Sequence, residues 1–419
     1  IDSGNNTFGS LVTAPNHNIK IVGLNTINNY FKAGGLPCDG FTAITGSSGA
    51  TFHFQAGAVI DMDNVLLANI VATGPNTPIA VTGIDNGGTA GFTITEPIGT
   101  GTTLYWVGGA GDWNDRAHWS TASGGVGGAC IPFIIDDVVF DANSGFTPAS
   151  RIVVTSGNTY CRNMNWEPGI LSSPIFNANT SFLLNVYGSV VLNPTVTMNA
   201  TMYLKGTQTV TLTTNASTLG NNRYIVQKTD VSATSGLILL DNWNNTNGRL
   251  DLVRGVLDLQ NRTLNISVFA SSGTSGRNLN ISNANITLTD WSYIGINIAM
   301  NATGSIIIVN RAMSTRSLVY NIVRCNSAGN YFDIISTTFD RLTFENTSLT
   351  SEARISNNNI INILEFKGQG MIRNGGNVIN SLITAENRNF YFYEGSNTIT
   401  NNLKATHPSC SGLGEIRSG

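Results

Sequence analysis

The chain has 419 residues, of which 41% are hydrophobic and only 11% charged, and 22 Lys and Arg against 25 Asp and Glu leave a net charge of −3. With no basic cluster, it offers no electrostatic footprint for nucleic acid, and its longest apolar runs, such as 306–309, fall far short of the roughly 20 residues that span a bilayer, so neither partner is expected. One compact core would also be overstretched, because cores stop growing near roughly 250–300 residues and longer chains divide or repeat.

Asn, Thr, Ser and Gly fill the place of the missing charge, with 53 Asn in the chain. These residues compete with helix or weaken it, so an all-β chain is expected. The chain opens on Ile1 with no leader-like stretch, so any targeting sequence is expected outside it.

Repeats decide the fold class. Residues 4–14 read GNNTFGSLVTA, and 375–385 read GGNVINSLITA. Asn25-Thr26-Ile27 then returns as Asn397-Thr398-Ile399, Lys32-Ala33 as Lys404-Ala405, and Cys38 as Cys410, 372 residues later. Residues 376–419 are therefore expected to start a further long unit, copying 5–48. A shorter pattern is nested inside: Asn or Thr, an apolar residue near the second or third position, then Leu, Met or Phe three or four residues on. It starts at 6 and 25, again at 158, and again at 337, 359, 377 and 397, the last four stepping by 22, 18 and 20 residues. Such a period belongs to solenoids.

Between the copies lie short alternating strands such as 151–154, 185–187, 210–213 and 285–288, with turns of Gly, Asn and Ser. Leu is too sparse for a leucine-rich repeat, and nothing reads as a helix. The spacing predicts a right-handed parallel β-helix with coils of about 20 residues over 1–103 and 151–375. Its Asn would serve as left-handed corners and as ladders from coil to coil.

Residues 104–150 break the period. Trp106, Trp113 and Trp119 fall there, half of the chain's six Trp, ahead of a Gly-rich link at 124–128. A small Trp- and Gly-rich β insertion or cap with its own aromatic cluster is expected. Asp112, Asp115, Asp136, Asp137 and Asp141 are the densest carboxylates. Asp136, Asp137 and Asp141 could serve a calcium ion, but the spacing matches neither an EF-hand nor an RTX nonapeptide, and turn residues and strand ends are the preferred reading.

Cysteines stand at 38, 130, 161, 325 and 410, which gives four per long unit if Cys410 belongs to the next. An even number suits disulfides in an oxidising compartment, with buried thiols the competing reading. The first pairing expected is Cys130 with Cys161.

For hydrolysis on a β-helix, paired carboxylates would be needed beside a His and a basic residue. Asp136-Asp137 is the only adjacent acidic pair, and the His at 17, 53, 118 and 407 are scattered, with Arg388 replacing His17 in the second copy. No nucleophile elbow, zinc-protease or phosphate-loop motif occurs. No catalytic residue, cofactor site or metal site is assigned, and the chain is not expected to be an enzyme. The run 390–393 puts Tyr391 and Tyr393 on one face of a strand, where they could contact sugar or another surface. Asn-x-Ser/Thr triplets are what an Asn/Thr-rich composition produces by chance, and no glycosylation is inferred.

The residues 105–113 (YWVGGAGDW), then His118-Trp119-Ser120, then 136–143 (DDVVFDAN) resemble a signature of very large repetitive surface proteins of Bacteroidetes, which include gliding-motility adhesins of the SprB type. The Gly-Asn-Asn-Thr-Phe opening is similar to segments of the same proteins. The resemblance covers about 40 residues closely and the rest in style; the usual Pro after Asp115 is Arg116 here. It implies export by the type 9 secretion system, display at the outer membrane beside the secretion and attachment machinery, and an extracellular location, and it carries over no catalytic residue.

The expected function is thus structural and adhesive: a β-helical segment of a cell-surface filament, stacked on further copies of its own unit and in contact with surface polysaccharide. The alternatives are a carbohydrate-active enzyme, lyase or hydrolase, on the same fold, and a phage tail spike or fibre.

Overall fold

Alternating apolar and polar residues over short stretches separated by Asn and Gly can bury one face only by pairing each stretch with its copy in the next coil. The chain does this throughout, as a parallel β-solenoid of about 18 turns with coils of about 21 residues and 56% of its residues in strands. The computed structural model describes every residue except 2–4, 16, 36–37, 39, 48, 98–100, 179–180, 229–233, 295–296, 328–331, 348–352, 386–387, 406–415 and 419. Among the described residues the only helical turn is the 3-10 turn Arg116–His118. Two compact units divide the chain, Ile1–Asn165 and Trp166–Gly419.

In the first unit, Leu24–Gly34 pairs in parallel with Asn6–Val12 on one side and with Thr51–Phe54 and Val59–Asp63 on the other. A second sheet runs Phe92–Thr95, Ile79–Asp85, Val65–Ala68, Thr42–Gly46, Ile19–Ile21. Phe31, Phe52 and Phe54 fill the space between these sheets, with ring centroids 4.9 to 6.0 Å apart.

The second unit shows how the nested pattern works. Thr338–Phe344, Ile360–Phe366, Val378–Thr384 and Thr398–Ala405 pair in succession, all parallel. Phe339, Ile361 and Ile379 form one buried column, and Leu342, Leu364 and Leu382 a second. The two columns are three positions apart, so strict alternation slips by one residue between them. The residue at the slip points outward, and these residues form a ladder of their own: Asn362 Nδ2 donates to Asp340 at 2.8 Å, and Asn380 Nδ2 to Asn362 at 2.9 Å.

Inside each coil a second, buried ladder marks the start of the motif. Thr337 N donates to Asn359 Oδ1 at 2.9 Å, Asn359 Nδ2 to Asn377 Oδ1 at 3.0 Å, and Asn377 Nδ2 to Asn397 Oδ1 at 2.8 Å. Each turns the corner through a left-handed residue just before it, Ser336 (φ 51°), Asn358 (φ 56°) and Gly376 (φ 87°). Asn and Gly tolerate that conformation better than other residues.

The two ends of the chain carry the same coil pair. Asn6 Nδ2 donates to Asn25 Oδ1 at 2.8 Å, as Asn377 does to Asn397. Asn5 (φ 66°) stands where Gly376 stands. The irregularity in pairing falls between Phe8 and Ser10 in one copy and between Ile379 and Ser381 in the other, at matching positions. The copy of Cys38 at Cys410 lies outside the described residues.

Candidate ligand-binding cleft and the tryptophan turn

The stretch 104–150 belongs to the stack of coils. Thr103–Trp106 pairs in parallel with Asp137–Phe140 as successive coils do, while Trp119–Ser120 hooks back antiparallel on Trp106. Trp106, Trp113 and Trp119 are all fully buried. Trp119 lies edge-on to both of the others, at 5.2 and 4.8 Å, and Phe140 packs against the group. The indole N–H groups close local turns: Trp106 donates to the Gly109 carbonyl and Trp119 to the Trp113 carbonyl, both at 2.7 Å. His118 stacks flat on Trp106 at 4.8 Å and donates from Nδ1 to the Val107 carbonyl. Gly111 is required beneath that ring, since a β-carbon there would run into the imidazole.

Each of the five carboxylates here is committed to the fold. Asp112 accepts from the N–H groups of Asn114 and Ser156, Asp115 caps the 3-10 turn through Ala117 N, and Asp141 accepts from Asn143 N. Asp136, the first of the adjacent acidic pair, accepts from Thr102 N at 2.7 Å and Phe133 N at 2.9 Å. Asp137 turns the other way, to Arg162 Nε at 2.7 Å and Asn163 Nδ2 at 2.8 Å. Burial alone would raise its carboxyl, but the Arg162 and Asn163 bonds outweigh that and hold it below its ordinary value. Among the described residues no group of three or more His, Cys, Asp and Glu is placed to hold a metal ion.

The expected Cys130–Cys161 pairing is corrected by the structure. Cys130 is bonded to Cys38, 92 residues earlier, while Cys161 and Cys325 are buried free thiols. The reason is where each cysteine sits. Cys161 closes the strand Thr159–Cys161 with its side chain in the core, as Cys325 closes Val319–Cys325. Cys38 and Cys130 lie outside strands. Burial pushes both free thiols up, with Asp137 and Asp136 adding to the effect at Cys161 and Glu345 at Cys325.

That disulfide ties the first coils to the tryptophan turn, and an open cleft of about 430 Å³ lies between them. Phe41, three residues from Cys38, packs on Phe133, three from Cys130, with centroids 4.3 Å apart, and edge-on to Tyr160 at 5.7 Å. Amides of Asn18, Asn86, Asn114 and Asn158 line the cleft with Thr45 and Thr159. Among the described residues no charged one lines it. Burial pushes the Tyr160 phenol up, and a hydrogen bond with Asn158 opposes it. A second cavity of about 380 Å³ lies around the disulfide, with Leu104, Arg116 and Asp136 in its wall.

Reading the sequence missed this cleft, because its walls come from stretches about 90 residues apart that the disulfide ties together. The one available signal was the like spacing of Cys38 to Phe41 and Cys130 to Phe133. The tyrosines singled out instead lie on Phe390–Tyr393 in the second unit. There Phe390 is buried, Tyr393 is 37% exposed with the Arg373 guanidinium 5.4 Å over its ring, and the Tyr391 hydroxyl accepts from Asn389. Comparison with known proteins finds no matching family model, no matching curated protein and no matching solved structure.

Proposed function

We propose that the chain is a structural and adhesive segment of a large repetitive extracellular surface protein, and that it is not an enzyme. The observation that carries this reading is the return of one coil pair, 6–33 and 377–405, with the same Asn ladder, the same left-handed corner before it and the same pairing irregularity. A coil that recurs in such detail suits an array in which each unit ends on the surface that the next one needs. The carboxylates support the non-enzymatic half: Asp136 is taken up by main-chain N–H groups and Asp137 by Arg162 and Asn163, which leaves neither as a poised acid or base.

Antibodies raised against the chain should label intact producing cells. Labelling that requires permeabilised cells would overturn the surface assignment. Incubation with a polysaccharide panel should release no reducing or unsaturated sugar. Release that disappears in Asp136→Asn or Asp137→Asn would establish the carbohydrate-active alternative.

A further inference from the structure

The geometry points to the cleft between the first coils and the tryptophan turn as a binding site for a short stretch of neutral glycan. The inference rests on the adhesive reading and names the ligand class and the place. Four features of the cleft carry it.

The first is size and form. About 430 Å³ falls within the roughly 300–1,000 Å³ of small-ligand sites, and the disulfide holds the two walls at a fixed spacing. Pre-set walls spare a ligand the cost of ordering them.

The second is the aromatic wall. Phe41, Phe133 and Tyr160 stand together across the junction. An aromatic face is electron-rich, which suits the electropositive C–H face of a pyranose ring. All three are only partly buried, although they are packed on one another.

The third is the rim of amides. An Asn side chain offers donor and acceptor together, the complement of neighbouring sugar hydroxyls, each of which also donates and accepts. Asn86 and Asn158 are exposed at the cleft, and Asn158 also bonds to Tyr160 of the aromatic wall. Asn114 Oδ1 is buried behind the wall with no hydrogen-bond partner among the described residues.

The fourth is the absence of charge from the lining among the described residues. A uronate, sulfate or phosphate entering such a site would lose hydration with no counter-charge to replace it. A neutral sugar loses nothing of that kind. The same lack of carboxylate or imidazole means that bound glycan would be held and not cleaved.

The test is titration calorimetry of the intact chain with short neutral oligosaccharides of the cello-, manno-, galacto- and xylo-series, beside oligogalacturonate and an Asn/Thr-rich peptide. At least one neutral series should bind. The double variant Asn86→Ala/Asn158→Ala, whose changes are exposed, should bind at least tenfold more weakly while its circular dichroism and melting curve stay those of the parent. Tyr391→Ala/Tyr393→Ala should bind like the parent. The assignment is overturned if the chain ignores every neutral series, if it takes only the uronate or the peptide, or if the tyrosine variant is the one that loses binding. A chain that binds no sugar yet labels intact cells would sink the cleft alone, so the two readings fail separately.

Discussion

Asn359 offers the sharpest test of how the coils are held. Its side chain is fully buried. Oδ1 accepts from Thr337 N at 2.9 Å, and Nδ2 donates to the Ser356 carbonyl at 2.6 Å and to Asn377 Oδ1 at 3.0 Å. In Asn359→Ala the Thr337 N–H loses its partner inside a residue with no exposure. An orphaned buried donor costs about 1–3 kcal/mol, and each of the two lost bonds about 0.5–1.5 kcal/mol, so the local penalty is about 2–6 kcal/mol. Asn377 keeps part of its bonding, because its Oδ1 also accepts from the Asn359 main-chain N–H at 3.0 Å.

In a solenoid this penalty acts on neighbouring coils, so a global melting curve is the wrong readout. Amide hydrogen exchange resolves it. The bonds to follow are Ile360 N to Thr337 O and Val378 N to Asn359 O, at 3.0 and 2.8 Å. Their protection should fall at least about 30-fold, since each 1.4 kcal/mol is a factor of ten. The control is Asn362→Ala, three residues on, which breaks the outward ladder at an exposed position and should cost within about 0.5 kcal/mol. If the two variants lose protection equally, burial is not what gives the inner ladder its weight, and the reasoning fails.

Four further outcomes are expected. Reduction of Cys38–Cys130, which closes a span of 92 residues, should destabilise the first unit by up to about 4–5 kcal/mol on the chain-entropy account. Mass mapping after mild alkylation of the reduced, folded chain should find label on Cys38 and Cys130 and none on Cys161 or Cys325. Asp137 has a lowered folded pKa, so its contribution is present above its ordinary value of 3.8 and is lost as pH falls through the folded value. Asp137→Asn should therefore lower stability at neutral pH, and the deficit should vanish when both chains are unfolded in acid; a deficit that persists there would refute the assignment to charge. A double-mutant cycle on Arg341 and Glu365, paired at 2.6 Å but both partly exposed, should return a coupling of only about 0.2–1 kcal/mol.

Much of the fold could be read before any coordinate, and the reason is physical. The starts at 337, 359, 377 and 397 were legible because Thr337 and the Asn residues at the other three bond from coil to coil at those steps. Inward columns such as Phe339, Ile361 and Ile379 were legible because burial admits few residue types there. The local slip between Phe339 and Leu342 appeared only as an odd spacing. Disulfide pairing was misread because nearness in sequence stood in for position. The strand pattern around Thr159-Tyr160-Cys161 already turns Cys161 inward with Thr159, and a cysteine facing a dry core cannot reach a loop partner. The cleft left only the like spacing of Cys38 to Phe41 and Cys130 to Phe133 as a trace, since no local pattern states which loops a distant bond will bring together.

The few charges repeat the lesson of the asparagines. Lys32 pairs with Asp61, Arg223 with Asp251, Arg311 with Asp290, Arg341 with Glu365 and Lys367 with Glu345. Each pair joins one coil to the next, and most have a half-exposed cation, so each is worth little as stability. Their worth lies in discrimination. Coils of similar length with similar apolar columns could stack in the wrong order at small cost in burial, because one inward Ile or Leu replaces another. A wrong neighbour would set Arg beside Arg or leave Asp290, which is 7% exposed, without Arg311 of the next coil, and a buried charge without its partner costs far more than the pair contributes. Buried asparagines act in the same way, since a ladder missing a rung orphans a main-chain N–H. Hydrophobic columns make the stack stable, and these sparse polar contacts determine which coil lies on which.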